Sequence, residues 1–395
     1  MPPITLNQAL EIVGRAAVPL ASQQVSLIGA SGRVLAAPVI ATFDSPRSDV
    51  SMMDGYAVRA DEARSEGVFD VIGTLAAGAR FDGAVGVGQA VRIFTGAALP
   101  TGADQVVIQE NVTLDGDRMT IAEAPGAARF VRARGSDFGT DEIVVAAGIR
   151  LTPGALVAAA GAGADRVDVV RRPRVITLAT GNELRALGEA FGTDRIPDSI
   201  GPGLTAMLDA MGAEVIGHLV FGDDLATLQA AAEDAVARAD LVVVTGGASV
   251  GARDHAKAMF APLGMELLFS KVKIKPGKPV WLGRVGATLV MGLPGNPGSA
   301  LVTARLLLAP LVAGMLGQKT PPPLVWINLP LGAPIPATGD RETFLRATLI
   351  DGRLMPVTNQ DSGAQRVLGE ASWLIRCPAG QGALAEGTLV PALAL

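Results

Sequence analysis

The chain has 395 residues, 49% hydrophobic and 18% charged, and its 33 Lys plus Arg against 38 Asp plus Glu leave a net charge of −5. So much apolar material supports two or three packed cores, which excludes global disorder, and the acidic balance excludes a general nucleic-acid binder. One cysteine, Cys377, and two histidines, His218 and His255, exclude disulfide frameworks, zinc clusters and Cys–His nucleophiles. A metal here is therefore expected to be hard and oxygen-bound, in a reducing compartment.

Met1–Leu10 carries no basic leader region. The helical spacing of Ala9, Leu10, Ile12, Val13, Val18 and Leu20 predicts a helix early in a first unit, 1–44. Strand signals then dominate 45–138, at Phe69–Ile72, Ala90–Phe94 and Gln105–Gln109. Val112–Leu114 and Met119–Ile121, joined by Asp115-Gly116-Asp117, read as a hairpin. Residues 139–173 return to the first texture, with an Ala-rich helix after Thr152-Pro153.

From 174 to 319 strands and helices alternate. Strands are expected at Val175–Leu178, Val215–Val220, Leu241–Val244, Leu267–Phe269 and Leu289–Met291. Helices are expected at Leu204–Met211, Leu225–Arg238, His255–Leu263 and Ser299–Met315. That rhythm predicts a doubly wound parallel sheet with a ligand beyond the carboxyl ends of its strands. Thr320-Pro321-Pro322-Pro323 is a linker, and the rest of 320–395 is short strands and Gly turns. The longest apolar runs, Leu151–Ala164 and Leu306–Leu316, are shorter than the ~20 residues that span a bilayer. A cytoplasmic protein without a membrane partner is expected.

Glycine, at 48 of 395 residues against a usual share of about 7%, concentrates in loops of the α/β block. Thr180-Gly181-Asn182-Glu183-Leu184 follows the first strand and Thr245-Gly246-Gly247-Ala248-Ser249-Val250-Gly251 the third. Lys273-Ile274-Lys275-Pro276-Gly277-Lys278-Pro279 precedes a further strand, and Gly292-Leu293-Pro294-Gly295-Asn296-Pro297 ends one. Each alone reads as an ordinary turn. Four at one sheet edge read as an anion site, where glycine admits close backbone N–H groups and helix N-termini add their dipoles. Lys275 and Lys278 flank a stiff Pro-Gly turn that would aim two ammonium groups at one oxyanion; the alternative is a solvated basic hairpin. Glu183, Asp223, Asp224 and Asp254 lie where carboxylates could hold Mg²⁺ against a phosphorylated ligand, although the three aspartates are equally placed to cap helices. Met53-Asp54-Gly55-Tyr56-Ala57 and Phe94-Thr95-Gly96 read alone as turns. His255 reads as a surface residue and His218 as core or interface.

Taken together, Met53–Ala57, Phe94–Gly96, Thr180–Leu184, Gly246–Gly251, Lys275–Pro279 and Gly292–Pro297 form an ordered set spanning essentially the whole chain. The set resembles the molybdopterin molybdenumtransferase family, the MoeA type shared with the E domain of gephyrin. The resemblance implies a multidomain α/β plus β fold. Its parts are an elongated helical/β dimerisation domain (1–44 with 139–173), a β-rich inserted domain (45–138), a central doubly wound α/β molybdopterin-binding domain (174–319) and a C-terminal β-barrel-like domain (320–395). It implies a homodimer that inserts molybdate into adenylylated molybdopterin with Mg²⁺-dependent release of AMP, the pterin supplying the sulfur ligands. A molybdopterin adenylyltransferase and recipient molybdoenzymes are the expected partners.

Carried over by motif, Asp54, Asp254, Lys275 and Lys278 are catalytic, and Glu183, Asp223 or Asp224, and Asp254 are the metal carboxylates. Substrate contacts fall to Thr95, Thr180, Gly181, Glu183, Gly246, Gly247, Ser249, Gly251, Pro294, Gly295, Asn296, Pro297 and Ser299, with Arg341 from the last domain. Such chemistry is positioning and charge neutralisation, which needs no histidine or cysteine. The chain departs from the family pattern at Asn182, where Asp is usual, at Ile200, where Asn usually follows Asp198-Ser199, and at Arg253, His255 and Gly298. A non-catalytic pterin-binding or scaffold paralogue with the same dimeric fold is the second reading, opposed by the presence of Asp54, Asp254, Lys275 and Lys278 together. A smaller pterin adenylyltransferase is opposed by the blocks on either side of 174–319.

Overall fold

The computed structural model describes residues 1–127, 129–188, 194–247 and 255–395. Thr5 opens the first helix, α1 (Leu6–Ala16): its hydroxyl accepts the Gln8 N–H while the Gln8 side chain accepts the Thr5 N–H. A reciprocal cap of this kind is worth about 1 kcal/mol. The buried face of α1, Leu6, Ala9 and Val13, packs into the core of the α/β block. The rest of the first unit is built on two antiparallel pairs, Ser22–Ser26 with Arg166–Val170 and Val39–Ile40 with Ile143–Val145. Their core gathers Leu35, Leu151 and Val169 beside α2 (Pro153–Gly161). Helix α2 is apolar all round, yet Ala159 is its one fully buried residue and Val157 stays 73% exposed.

The 45–138 region holds a six-stranded sheet in the order Gln105–Ile108, Gly55–Val58, Gln89–Ile93, Val68–Leu75, Arg118–Ile121, Val112–Asp115. Gly55–Val58, read from sequence as a turn, is buried along its whole length in this sheet. A side chain at Gly55 would put its Cβ 2.1 Å from the Val107 carbonyl oxygen, so glycine is what lets the two backbones meet.

Six strands form the central sheet: β1 (Arg174–Thr180), β2 (Glu214–Phe221), β3 (Leu241–Gly246), β4 (Glu266–Phe269), β5 (Trp281–Val285) and β6 (Thr288–Leu293), in the order β2-β1-β3-β6-β5-β4. Strands β1, β2, β3 and β6 are parallel, as the alternation predicts. Strand β5 is the further strand expected after Pro279, but it runs antiparallel to both neighbours. It meets β6 through Gly286 and Ala287, a connection too short for a parallel crossover. Successive residues of β3 face opposite ways: Leu241 and Val243 enter one core, Val242 and Val244 the other. The first core takes α1, α3 (Ile200–Met211) and a long helix that begins as α6 (Pro297–Thr303), passes through a π turn at Ala304–Leu308 and ends as α7 (Ala309–Met315). The second takes α4 (Leu225–Arg238) and α5 (His255–Ala258). The continuous helix Pro297–Met315 is long and apolar enough to cross a membrane, but 78% of its apolar window is buried, so here it is the core helix of the first face.

The lysine run also differs from expectation. Ile274–Lys275 is a strand, and it pairs in parallel with Glu342–Ile350 at the edge of the C-terminal sheet. That sheet continues through Trp373–Cys377 and Leu389–Ala394 to Ile327–Pro330, with Arg353–Pro356 as a side branch. The chain thus lends a segment of the central block to the last one, and Phe344, Leu374 and Leu393 return apolar side chains to the first core.

Candidate active site

Strand order reverses beside β1, and the carboxyl ends of β1, β3 and β6 lie next to one another. A cavity of about 570 Å³ opens there. Its lining joins Thr180 and Glu183 after β1, Gly246 and Gly247 at the end of β3, and Pro294, Gly295, Asn296, Pro297 and Ser299 after β6. These are sequence-predicted residues from three separate loops, brought to one place. Gly246 has φ +87°, and a Cβ on it would lie 2.2 Å from the Thr180 carbonyl oxygen. Gly295 approaches the same backbone, its own Cβ position being 3.3 Å from the Gly246 Cα. Glycine is therefore what allows the loops to touch.

The far wall is Ile196–Ile200, with Asp198 at its centre. Asp198 is 3% exposed; one carboxylate oxygen accepts the Gly201 N–H at 3.2 Å and the other meets His218 Nε2 at 2.6 Å. Burial alone would raise its pKa, but the bonds from His218 and Gly201 outweigh burial and hold the carboxyl below its usual range. An ionised Asp198 makes Nε2 the donor, so in the neutral ring Nδ1 accepts from the Thr177 hydroxyl 2.7 Å away. Sequence reasoning read His218 as core or interface; it is exposed rather than core, and its partner Asp198 lies twenty residues back on another element.

Helix N-termini contribute less free N–H than the sequence implied. Asp198 caps α3 through Gly201, and at α6 the Gly298 N–H donates to the Ser362 carbonyl at 2.8 Å. Asp224 caps α4, taking the Thr227 N–H at 2.8 Å and its hydroxyl at 2.6 Å, and these bonds lower its pKa. Asp223 makes a different pairing: its N–H donates to the Asn182 side-chain oxygen at 2.9 Å, and its carboxylate accepts the Asn182 N–H at 3.4 Å. Asp223, Asp224 and Gly181 lie beside the cavity loops without lining the cavity. Among the described residues no group of three or more His, Cys, Asp or Glu is assembled as a metal site.

Lys275 and Arg341 meet in a second, smaller cavity of about 170 Å³ between the central and C-terminal blocks, formed because Lys275 pairs with Thr343. The Lys278 carbonyl accepts the Val272 N–H, and its side chain is exposed. Asp54 and Thr95 find each other on the inserted sheet: the Thr95 N–H and hydroxyl both donate to one Asp54 oxygen at 2.8 Å. The backbone donor, then the hydroxyl, hold this carboxyl below its ordinary pKa. Neither residue lines the 570 Å³ cavity. Ser249, Gly251 and Asp254 lie outside the described residues. Gly363 and Gln365, from the C-terminal block, line the cavity and were not foreseen. The turn-forming run Asn359-Gln360-Asp361-Ser362-Gly363 was the available signal, but nothing local says which block it visits.

Such an arrangement, glycine loops at parallel strand ends with a wall borrowed from a second block, defines the fold class. Residues 176–314 match the model of a probable molybdopterin binding domain, 4–163 that of the MoeA N-terminal region (domain I and II), and 328–395 that of the MoeA C-terminal region (domain IV). The fold is also similar to the solved MoeA molybdopterin biosynthesis protein of Pyrococcus horikosii, with a TM-score of 0.83 at 30% identity over 100% of this chain and 99% of that one. A molybdopterin molybdenumtransferase of Haemophilus influenzae is 36% identical over 318 residues, 80% of this chain and 78% of the relative. One of Staphylococcus aureus is 29% identical over 98% of this chain and 94% of its own length. The chain belongs to the molybdopterin molybdenumtransferase family.

Proposed function

We propose that this enzyme inserts molybdate into adenylylated molybdopterin with Mg²⁺-dependent release of AMP, acting as a cytoplasmic homodimer. The observation that carries the reading is the 570 Å³ cavity at the strand ends, which in a chain of this family unites the Thr180–Glu183, Gly246-Gly247 and Pro294–Pro297 loops. Its volume suits a ligand of nucleotide or pterin size. In this reading the glycine loops cradle the pterin and its phosphate, while Lys275, Lys278 and Arg341 bring positive charge to the oxyanions. Asp54 and Thr95 serve the cavity across a dimer interface, since they do not line it within one chain.

Glu183 and Asp223 fit a hard divalent cation. Both are anionic oxygen donors on neighbouring loops, and among the described residues Asp223 accepts a single long hydrogen bond, whereas Asp224 is occupied by Thr227. Together with Asp254 they would hold Mg²⁺, which when bound neutralises phosphate charge. The dimer is supported by the uncovered apolar face of the first unit, where Ile28, Ile143 and Val157 are 96%, 62% and 73% exposed around α2.

The test separates anion binding from folding. Lys275→Ala combined with Lys278→Ala leaves the thermal midpoint nearly unchanged, because exposed charges contribute little to stability. The same pair weakens molybdate affinity by at least about tenfold in titration calorimetry. Unchanged affinity would make the lysines solvated surface residues and remove the oxyanion seat.

A further inference from the structure

Arg346 is a side chain the proposed chemistry does not use. It lies on the strand Glu342–Ile350 of the C-terminal sheet and is 1% exposed, among the largest fully buried side chains of the molecule. Its Nη2 donates to the Asp361 carbonyl at 3.0 Å and the Asn359 carbonyl at 3.5 Å, while Nε and Nη1 have no hydrogen-bond partner among the described residues. Burying a guanidinium against two carbonyls is costly: desolvation lowers its pKa, and the charge of Asp361 offsets that only in part. Stability therefore does not explain it, and geometry offers a better account.

The segment Arg346 holds is the 359–365 loop, tied down at every step. The Arg346 N–H donates to Gln360 Oε1 at 3.0 Å, and Gln360 Nε2 donates back to the Arg346 carbonyl at 2.8 Å. Asn359 takes the Asp361 N–H at 2.8 Å, and Asp361 takes the Gly363 N–H at 2.7 Å. The loop then crosses to the central block, where Asn296 Nδ2 donates to the Ser362 hydroxyl and the Gly298 N–H to the Ser362 carbonyl, both at 2.8 Å. Its next residues, Gly363 and Gln365, are cavity wall. Gly298 is what permits this seating. A Cβ there would lie 2.6 Å from Arg346 Nη1 and 2.9 Å from the Ser362 oxygen.

We infer that Arg346 is a positioning residue: through the Asn359 and Asp361 carbonyls it clamps the 359–365 loop onto Asn296 and Gly298, and so sets how tightly the cavity holds its pterin ligand. A planar guanidinium reaches two carbonyls from one side chain, which an ammonium does less well and a thioether not at all. The inference rests on the proposed pterin reading, but the clamp itself can be measured without it.

Arg346→Met keeps the apolar stem and removes the donors. In hydrogen exchange by mass spectrometry, amides of 359–365 exchange at least tenfold faster in this variant, while those of the central sheet match the parent. For adenylylated molybdopterin, KM rises at least tenfold with kcat within threefold, because the loop orients substrate without entering the chemistry. Arg346→Lys falls between the two. Gly298→Ala displaces the loop with the guanidinium intact, shifts exchange and KM in the same direction, and carries the test alone if Arg346→Met fails to fold. Unchanged exchange at 359–365 in both variants overturns the clamp. Faster exchange with an unmoved KM overturns its effect on binding. If the parent releases no AMP but quenches the fluorescence of a simple pterin such as 6-hydroxymethylpterin, the transferase reading fails on its own, and the shift in pterin affinity replaces KM as the deciding measure.

Discussion

Asp54 is held by two donors from one residue, the N–H and hydroxyl of Thr95, and both favour its ionised form. The turn Asp54-Gly55 and the charge at Asp54 are thus separable properties. Gly55 serves the sheet through its contact with Val107, while the carboxylate is fixed at the turn, away from the cavity of its own chain. Asn is nearly isosteric and keeps the turn. Asp54→Asn therefore folds, dimerises and binds adenylylated pterin, but loses molybdate-dependent AMP release by at least about a hundredfold. Turnover within a few-fold of the parent would leave Asp54 a turn residue. Asp198 makes the complementary point: its sequence context shows only the departure at Ile200, and the bond to His218 is visible only in three dimensions.

At the scale of elements, the alternating pattern of 174–319 was readable because parallel strands buried on both faces and amphipathic helices leave strong periodic signals. All four parallel strands and helices α3 and α4 fall where the apolar spacing puts them. What escaped reading was short or borrowed. The direction of β5 is set by a two-residue turn, Ile274–Lys275 becomes a strand only because Glu342 and Thr343 come to pair with it, and α1 carries an amphipathic face whose partner lies some three hundred residues on. The cavity was legible in its glycine loops and illegible in its C-terminal wall for the same reason. Capping also separates two neighbours that sequence could not: Asp224 is a cap and Asp223 is not. Asp224→Ser, which keeps a capping oxygen, retains AMP release within a few-fold, whereas Asp223→Asn raises the Mg²⁺ concentration for half-maximal turnover at least tenfold. Equal losses in both variants would return Asp224 to the metal set.

On the whole-molecule scale, the central core accepts side chains from the N-terminal helix and from the C-terminal sheet, so these blocks pack around a shared core. Away from that core, α2 and its neighbours leave Ile28, Ile143 and Val157 uncovered. Light scattering at micromolar concentration is expected to give a dimeric mass, and Val157→Glu, which places a charge on that face, to give a monomer with its secondary structure intact. A monomeric parent would remove the proposed route for Asp54 to the cavity. The central claim is tested most directly by incubating the protein with adenylylated molybdopterin and Mg²⁺, with and without molybdate, and following AMP. The account predicts AMP released in proportion to bound pterin when molybdate is present and little without it. Tight pterin binding with no AMP under either condition would contradict it and leave a pterin-binding scaffold in place of a transferase.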